Sequence, residues 1–230
     1  MNMPAADSHQ KNLDSKLGKL YKGRFSESEV KAKTKVWQVL CPHFFQQFVP
    51  KGAAVLDMAA GYCDFINHIE CSQKYALDLN EDTVAFANPD VKVFHSPSTA
   101  ISFLGDESVD VVFTSNFLEH LRNKEEVLRT FAEVHRILKP GGRFMILQPN
   151  IRYCKFDYWD FFDHHVPLTE KSLIEGLEIK NFRVEKVISR FLPFTTKSKL
   201  PKHPFLVRLY LMFPLAWRIM GKQSFLVVQK

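Results

Sequence analysis

The chain is poor in cysteine and glycine. Its 230 residues hold 4 Cys and 9 Gly. Cys41, Cys63, Cys71 and Cys154 form no Cys-x-x-Cys pair and no zinc-like spacing, which excludes a disulfide framework or a structural zinc ribbon. No secretory signal is visible, so the expectation is a cytoplasmic protein with reduced thiols. Long apolar runs are absent too. The longest uncharged apolar stretch, Leu209–Trp217, has nine residues, against the roughly 20 that a membrane span needs. There is no internal repeat and no Asn/Asp-Pro-Pro-Tyr motif, and the basic residues sit beside bulky apolar ones. Both features speak against a nucleic-acid partner. Acid is missing from one region altogether: residues 193–230 hold seven Lys/Arg and no Asp or Glu.

What is present is a hydrophobic content of 46% and 21 Phe, enough for one α/β domain with an aromatic-rich core or an apolar pocket. The net charge of +6 is unevenly spread. Residues 1–35 carry a balance of +4, the middle −5 and residues 193–230 +7. Basic flanks of this kind suit phosphates on a lipid, a nucleotide-linked sugar or a nucleic acid, or are ordinary solvated surface.

The run Ala53-Ala-Val-Leu-Asp57-Met-Ala-Ala-Gly61-Tyr-Cys63 reads as a buried strand, a small-residue loop and the start of a helix. Open α/β sheets bind ligands at such strand ends. The third glycine of G-x-G-x-x-G is missing, and an acid at the strand end would repel a pyrophosphate. Asp57 instead suits a ligand with a cationic amino group, such as S-adenosylmethionine. A second strand, about Lys74–Leu79, carries Asp78, 21 residues after Asp57. That is the spacing at which a βαβ unit places an acid on ribose hydroxyls.

At this point the chain resembles the class I S-adenosylmethionine-dependent methyltransferases, most closely the small-molecule group called methyltransferase type 11. Three further segments carry the resemblance: Ser108–Leu121, with Asn116 and Leu-Glu119-His120; Phe131–Leu147, with Lys139-Pro-Gly-Gly; and His164–Leu173. Ala59 and Cys63 stand where the family usually has glycine. The resemblance implies a Rossmann-like, doubly wound, seven-stranded sheet, mostly parallel with an antiparallel last strand near Phe225–Gln229. It implies S-adenosylmethionine as cofactor, with Asp57 at its methionine end and Asp78 on its ribose. Ala59, Gly61, Cys63, Leu79, Asn116 and Phe117 line the same site, and Ser98 takes the place of an adenine-contacting acid.

The pattern read along the chain is a flexible tail 1–20, an N-terminal helical segment 21–50, a cofactor-binding core 51–192, an inserted cap 193–222 and the last strand 223–230. Ser26 and Glu29 form a capping box, and Pro42 kinks or splits the helix that follows. Strands are expected at about Ala54–Asp57, Val91–His95, Val109–Ser115, Arg143–Gln148 and, from the resemblance, Val184–Ser189. A helix runs from Asn123 to Leu138, where Lys139-Pro-Gly-Gly stops it.

Methyl transfer to a hydroxyl or amine uses a general base, and histidine is the natural candidate. The paired His164 and His165 beside Asp163 come first, then His120. Tyr153, Tyr158, Asp163, Arg208 and Trp217 are candidates to contact the acceptor. The acidic cluster around Asp163 reads as loop anchors, with no metal. The cap admits three readings: a helix packed on the core edge, a lid over the substrate, or peripheral contact with the inner face of a membrane. The acceptor is expected to be a small molecule or glycan intermediate, phosphate- or lipid-linked. The alternatives are an apolar quinone-like or secondary-metabolite acceptor, or a non-catalytic protein that binds the donor to regulate.

Overall fold

The computed structural model describes residues 26–194 and 203–230, so the expected tail 1–20 lies outside the described residues. The first helix, α1 (Glu27–His43), starts at the expected capping box. The Ser26 N–H donates to the Glu29 carboxylate at 2.8 Å, and the Glu29 N–H donates to Ser26 Oγ at 3.4 Å. Pro42 falls in the last turn, and a separate 3₁₀ turn follows at Phe45–Phe48. The segment is therefore split rather than kinked.

Seven strands make one sheet: β1 (Ala54–Met58), β2 (Gln73–Leu77), β3 (Val91–Phe94), β4 (Val109–Ser115), β5 (Leu138–Pro149), β6 (Arg183–Ile188) and β7 (Gln223–Gln229). Their order is β3-β2-β1-β4-β5-β7-β6. The first five pair in parallel, and β7 runs antiparallel to both β5 and β6. The order reverses between β1 and β4, the position where open α/β sheets leave a crevice for ligands.

Side chains alternate across the sheet. On one face, Val55, Phe113, Met145 and Phe225 join Trp37, Phe44 and Phe45. On the other, Leu56, Val112, Phe144 and Leu226 meet Phe131, Leu173 and Leu177 from α3 (Lys124–Ile137) and α5 (Glu170–Ile179). The first face is aromatic, as the phenylalanine content leads one to expect. The Phe65 and Phe113 rings stack at 3.8 Å and those of Phe44 and Phe191 at 4.1 Å.

Three boundaries differ from the sequence reading, each for a local reason. Met58 follows Asp57 in β1, so Asp57 is inside the strand and pairs with Ala76 and Phe113. Strand β2 ends at Leu77; the Asp78 N–H still donates to the Phe94 carbonyl of β3 at 3.1 Å, while its carboxylate accepts the Gly61 and Asn80 N–H groups. Helix α3 ends at Ile137. The Lys139-Pro-Gly-Gly segment is drawn into an irregular start of β5, with a register shift between Val109 and Val111.

Candidate active site

The loop after β1 is held by unusual backbone. Ala59, Gly61 and Cys63 all have positive φ, at 60°, 52° and 56°. Cys63 leads into the short helix α2 (Asp64–His68) from a left-handed conformation. A side chain at Gly61 would meet no atom within 4 Å, so the loop curls around open space. Asp78 closes this cradle from β2. Its Oδ2 accepts the Gly61 N–H at 2.7 Å, and its Oδ1 accepts the Asn80 N–H at 2.8 Å. Each carboxylate oxygen accepts more than one bond, so both keep capacity for a ligand hydroxyl. Leu79, 72% exposed, offers an apolar face beside it.

Asp57 lies beneath the loop, buried, with Oδ2 accepting the Ile66 N–H at 3.3 Å. Burial pushes its carboxyl pKa up to about 8; the Ile66 N–H works against that rise, and the charges of Asp78 and Asp64 add to it. The Cys63 thiol is raised to about 12 by burial and then by Asp57, Asp78 and Asp64, so it packs as a neutral group. Across the crevice, Asn116 follows β4 with φ 50°. Its Oδ1 accepts from Gln223 Nε2 at 2.6 Å, and its Nδ2 donates to Ser115 Oγ at 2.8 Å. Phe117 is next to it and half-buried.

A second cluster forms just beyond, in the 3₁₀ turn Leu118–His120. His120 Nδ1 lies 3.2 Å from Asp163 Oδ2 and 3.0 Å from the Asp163 carbonyl oxygen. This fixes the proton on Nδ1 and leaves Nε2 as the basic nitrogen, 4.0 Å from Glu119 Oε1. Glu119 is buried, and its Oε2 accepts from Gln148 Nε2 at 2.9 Å. Burial raises the Glu119 pKa, with His120 and Gln148 opposing the rise. Burial pulls the His120 imidazole down, but the Asp163 carboxylate and the Glu119 charge outweigh it, leaving the pKa above the ordinary histidine value. His164 packs its ring 5.0 Å from that of His120. Glu119, His120 and His164 each offer a ligand atom within 4.8 Å of the others. The hydrogen bonds to Gln148 and Asp163 account for the placement of Glu119 and His120 without an ion.

Residues 56–146 match the family model described as "Methyltransferase domain". The chain is similar to a demethylmenaquinone methyltransferase of Symbiobacterium thermophilum, 34% identical over 89 residues, covering 37% of this chain and 32% of that protein. A protein of the same name from Shouchella clausii is 25% identical over 169 residues, covering 67% of this chain and 69% of that one. The chain thus matches about a third of the first relative's length and about two thirds of the second's. Among solved structures, an S-adenosylmethionine-dependent methyltransferase from Archaeoglobus fulgidus superposes with TM-score 0.62 at 22% identity, over 91% of this chain and 96% of that one. The matched domain and the shared fold support a class I S-adenosylmethionine-dependent methyltransferase.

The matched methyltransferase domain and the fold together imply S-adenosylmethionine as the cofactor, and the residues present fit it. The space over Gly61 is open, Asp78 retains acceptor capacity, and a buried carboxyl at Asp57 suits an ammonium group. Asp57, Ala59, Gly61 and Cys63 lie at or just after the carboxyl end of β1, Asp78 and Leu79 just after β2, and Asn116 and Phe117 just after β4, three neighbouring strands. Ser98 departs from the expectation. It is buried, and its hydroxyl bonds Thr130 Oγ1 of α3 at 2.8 Å, so its side chain faces the helix.

On the acceptor side the sequence reading is redistributed. The His164–His165 pair separates: His164 is buried against Tyr158 and Phe161, while His165 is exposed and its N–H donates to the Glu119 carbonyl at 2.7 Å. Adjacent residues in extended chain point opposite ways, so a sequence pair does not make a spatial one. Tyr158 is fully buried, with its hydroxyl donating to the Val166 carbonyl at 2.6 Å, and is a structural anchor rather than an acceptor contact. Tyr153 is half-buried beneath the Arg190 guanidinium, 4.9 Å from its ring centre.

Trp217 likewise turns inward. Its Nε1 donates to the Tyr210 carbonyl at 2.8 Å and its ring meets Phe44 and Phe191, which favours the packed-helix reading for this residue. Arg208 is exposed. The sequence reading missed Glu119, Gln148, Gln223 and Asn80. Glu119 carried a signal: an acid next to a histidine, the two enclosed by Leu118 and Leu121.

Proposed function

We propose that the protein transfers the methyl group of S-adenosylmethionine to a hydroxyl of a small, apolar, quinone-like acceptor. The observation that carries the reading is that the Gly61–Asp78 cradle follows β1 and β2 while His120, its Nδ1 held by Asp163, follows the neighbouring parallel strand β4, at the same carboxyl edge of the sheet. The bound donor supplies an activated methyl on a sulfonium centre. The chain contributes alignment and a proton acceptor. Asp57 would hold the ammonium of the donor, and Asp78 its ribose. His120 Nε2 would take the acceptor's hydroxyl proton as that oxygen receives the methyl group the bound donor would supply. Asp163 and Glu119 stabilise the imidazolium so produced. His164 fills the apolar side of the His120 ring.

An apolar acceptor is favoured because three large apolar side chains are exposed along this edge, Phe156, Trp159 and Phe162, interspersed with Lys155, Asp157 and Asp160. The names of the similar curated proteins agree with a quinone-like compound. A phosphate- or lipid-linked glycan is the second reading, favoured by the exposed cations Arg208 and Arg218. Labelled methyl from S-adenosylmethionine, offered with a short-chain naphthoquinol and with a lipid-linked sugar phosphate, tests both. Label in the quinol alone supports the first reading and label in the sugar alone the second. Donor binding without transfer to any fraction of a cell extract leaves a regulatory donor-binding protein.

A further inference from the structure

Two exposed apolar segments share the edge of the sheet that carries the donor cradle. The connection from β5 to α5 leaves the carboxyl end of a parallel strand. The insertion between β6 and β7 returns to the same edge, because β7 runs antiparallel and begins there. That insertion holds α6 (Pro204–Met212) and α7 (Pro214–Met220), neither of which buries a single residue fully.

The two helices are anchored by a few side chains. Val207, Tyr210, Leu211 and Trp217 pack on the aromatic core. Gly221 ends α7 so close to Arg190 that a Cβ there would lie 2.7 Å from the Arg190 carbonyl carbon. The opposite stripe is bare. Phe205, Leu209 and Met212 recur at helical spacing on α6, and Leu215 and Ile219 on α7, with exposures from 40% to 77%. In the neighbouring segment Phe156 and Phe162 are 88% and 82% exposed. Lys222 Nζ ties the two together through Asp157 Oδ2 at 2.5 Å.

Charge on the hairpin has one sign. Arg208 and Arg218 are exposed, and residues 193–230 contain no acid. Among the described residues no helix is long and apolar enough to cross a membrane. A short pair of helices with a bare apolar stripe and only cations of its own has the make-up of an interfacial element; of the acids in the neighbouring segment, Asp157 is paired with Lys222 and Asp160 is exposed. A water-facing surface of this kind is otherwise unfavourable.

We propose that the α6–α7 hairpin, together with the Phe156–Phe162 segment, docks this protein on an anionic lipid bilayer. Its apolar stripe enters the acyl boundary, and Arg208 and Arg218 meet headgroup phosphates. The crevice edge then opens onto the membrane. The proposal deepens the apolar-acceptor reading, since a lipid-dissolved acceptor is delivered at that edge, but docking requires neither donor nor acceptor.

The test is co-sedimentation of the full chain with vesicles of phosphatidylglycerol and phosphatidylcholine, and with phosphatidylcholine alone. Wild type is expected to pellet with the anionic vesicles and to be released by salt. Arg208→Glu/Arg218→Glu is expected to weaken binding by at least about tenfold, and Leu215→Ser/Ile219→Ser by a similar factor. Thermal melts establish that the variants are folded. Transfer to a water-soluble quinol, unchanged in Leu215→Ser/Ile219→Ser, separates failure of docking from failure of the catalytic reading. Wild type remaining in the supernatant overturns the proposal. So does equal pelleting of all folded variants. So does a dimer in light scattering that Leu215→Ser/Ile219→Ser dissociates, because a second copy would then cover the face.

Discussion

His120 Nδ1 and Asp163 Oδ2 stand 3.2 Å apart, bridging the turn after β4 and the loop after β5. The contact sets the tautomer of the imidazole and raises its basicity against the pull of burial.

His120→Ala is therefore expected to lower kcat about 10²-fold, with donor affinity unchanged, while His165→Ala stays near wild type. Catalysis needs neutral Nε2, so the rate rises with pH through the raised His120 pKa. Asp163→Asn removes the first partner holding that pKa up, and the acid limb of the rate profile moves to lower pH. A merely structural contact would lower the amplitude of the profile and leave its position alone.

Asp57 makes donor binding depend on pH. With its pKa near 8, the carboxyl is mostly protonated at neutrality, whereas an ammonium partner favours the carboxylate. Binding near neutral pH releases a proton, and affinity rises up to about pH 8 and then levels. Calorimetry in buffers of different ionisation enthalpy reads the proton; Asp57→Asn abolishes both effects. The stability sign is the reverse of the usual carboxylate case. A folded pKa above the unfolded value stabilises at low pH, and that contribution is lost as pH rises through about 8. The donor-free protein should lose more Tm across this range than Asp57→Asn.

Asp78→Ala should weaken donor binding by about 2 kcal/mol or more, because it leaves the Gly61 and Asn80 N–H groups and the donor's ribose hydroxyls short of an acceptor. Equal affinity in titration calorimetry would remove Asp78 from the site.

Trp217→Ala should lower stability by roughly 2 kcal/mol, since a half-buried indole packs against Phe44 and Phe191. Acceptor KM should stay unchanged. A raised KM with unchanged Tm would return Trp217 to the acceptor site.

The donor half of the proposed site could be read from the sequence because it is local. Asp57, the loop to Cys63 and Asp78 lie within one βαβ unit, where strand pairing fixes their relation once the strands are recognised. The acceptor half was not. His120 and Asp163 are 43 residues apart, and nothing in either segment alone announces the other. The His164–His165 pair drew attention by adjacency, yet extended backbone sends neighbours to opposite sides. Ser98 was placed by analogy, and a single buried hydroxyl partner on α3, Thr130, turned it away.

By itself the sequence determined the strand and helix order, the two acids at the ends of neighbouring strands, and the basic, acid-free end of the chain. These follow from periodicity, short-range spacing and composition, which act within a few tens of residues. Only the tertiary structure decided which histidine acquires a carboxylate partner, which tyrosine and tryptophan become anchors, and that two apolar segments surface along one edge. Those outcomes depend on which strand lies next to which. The antiparallel return of β7 brings the hairpin back to the crevice, and burial then sets the charge of every group beneath it.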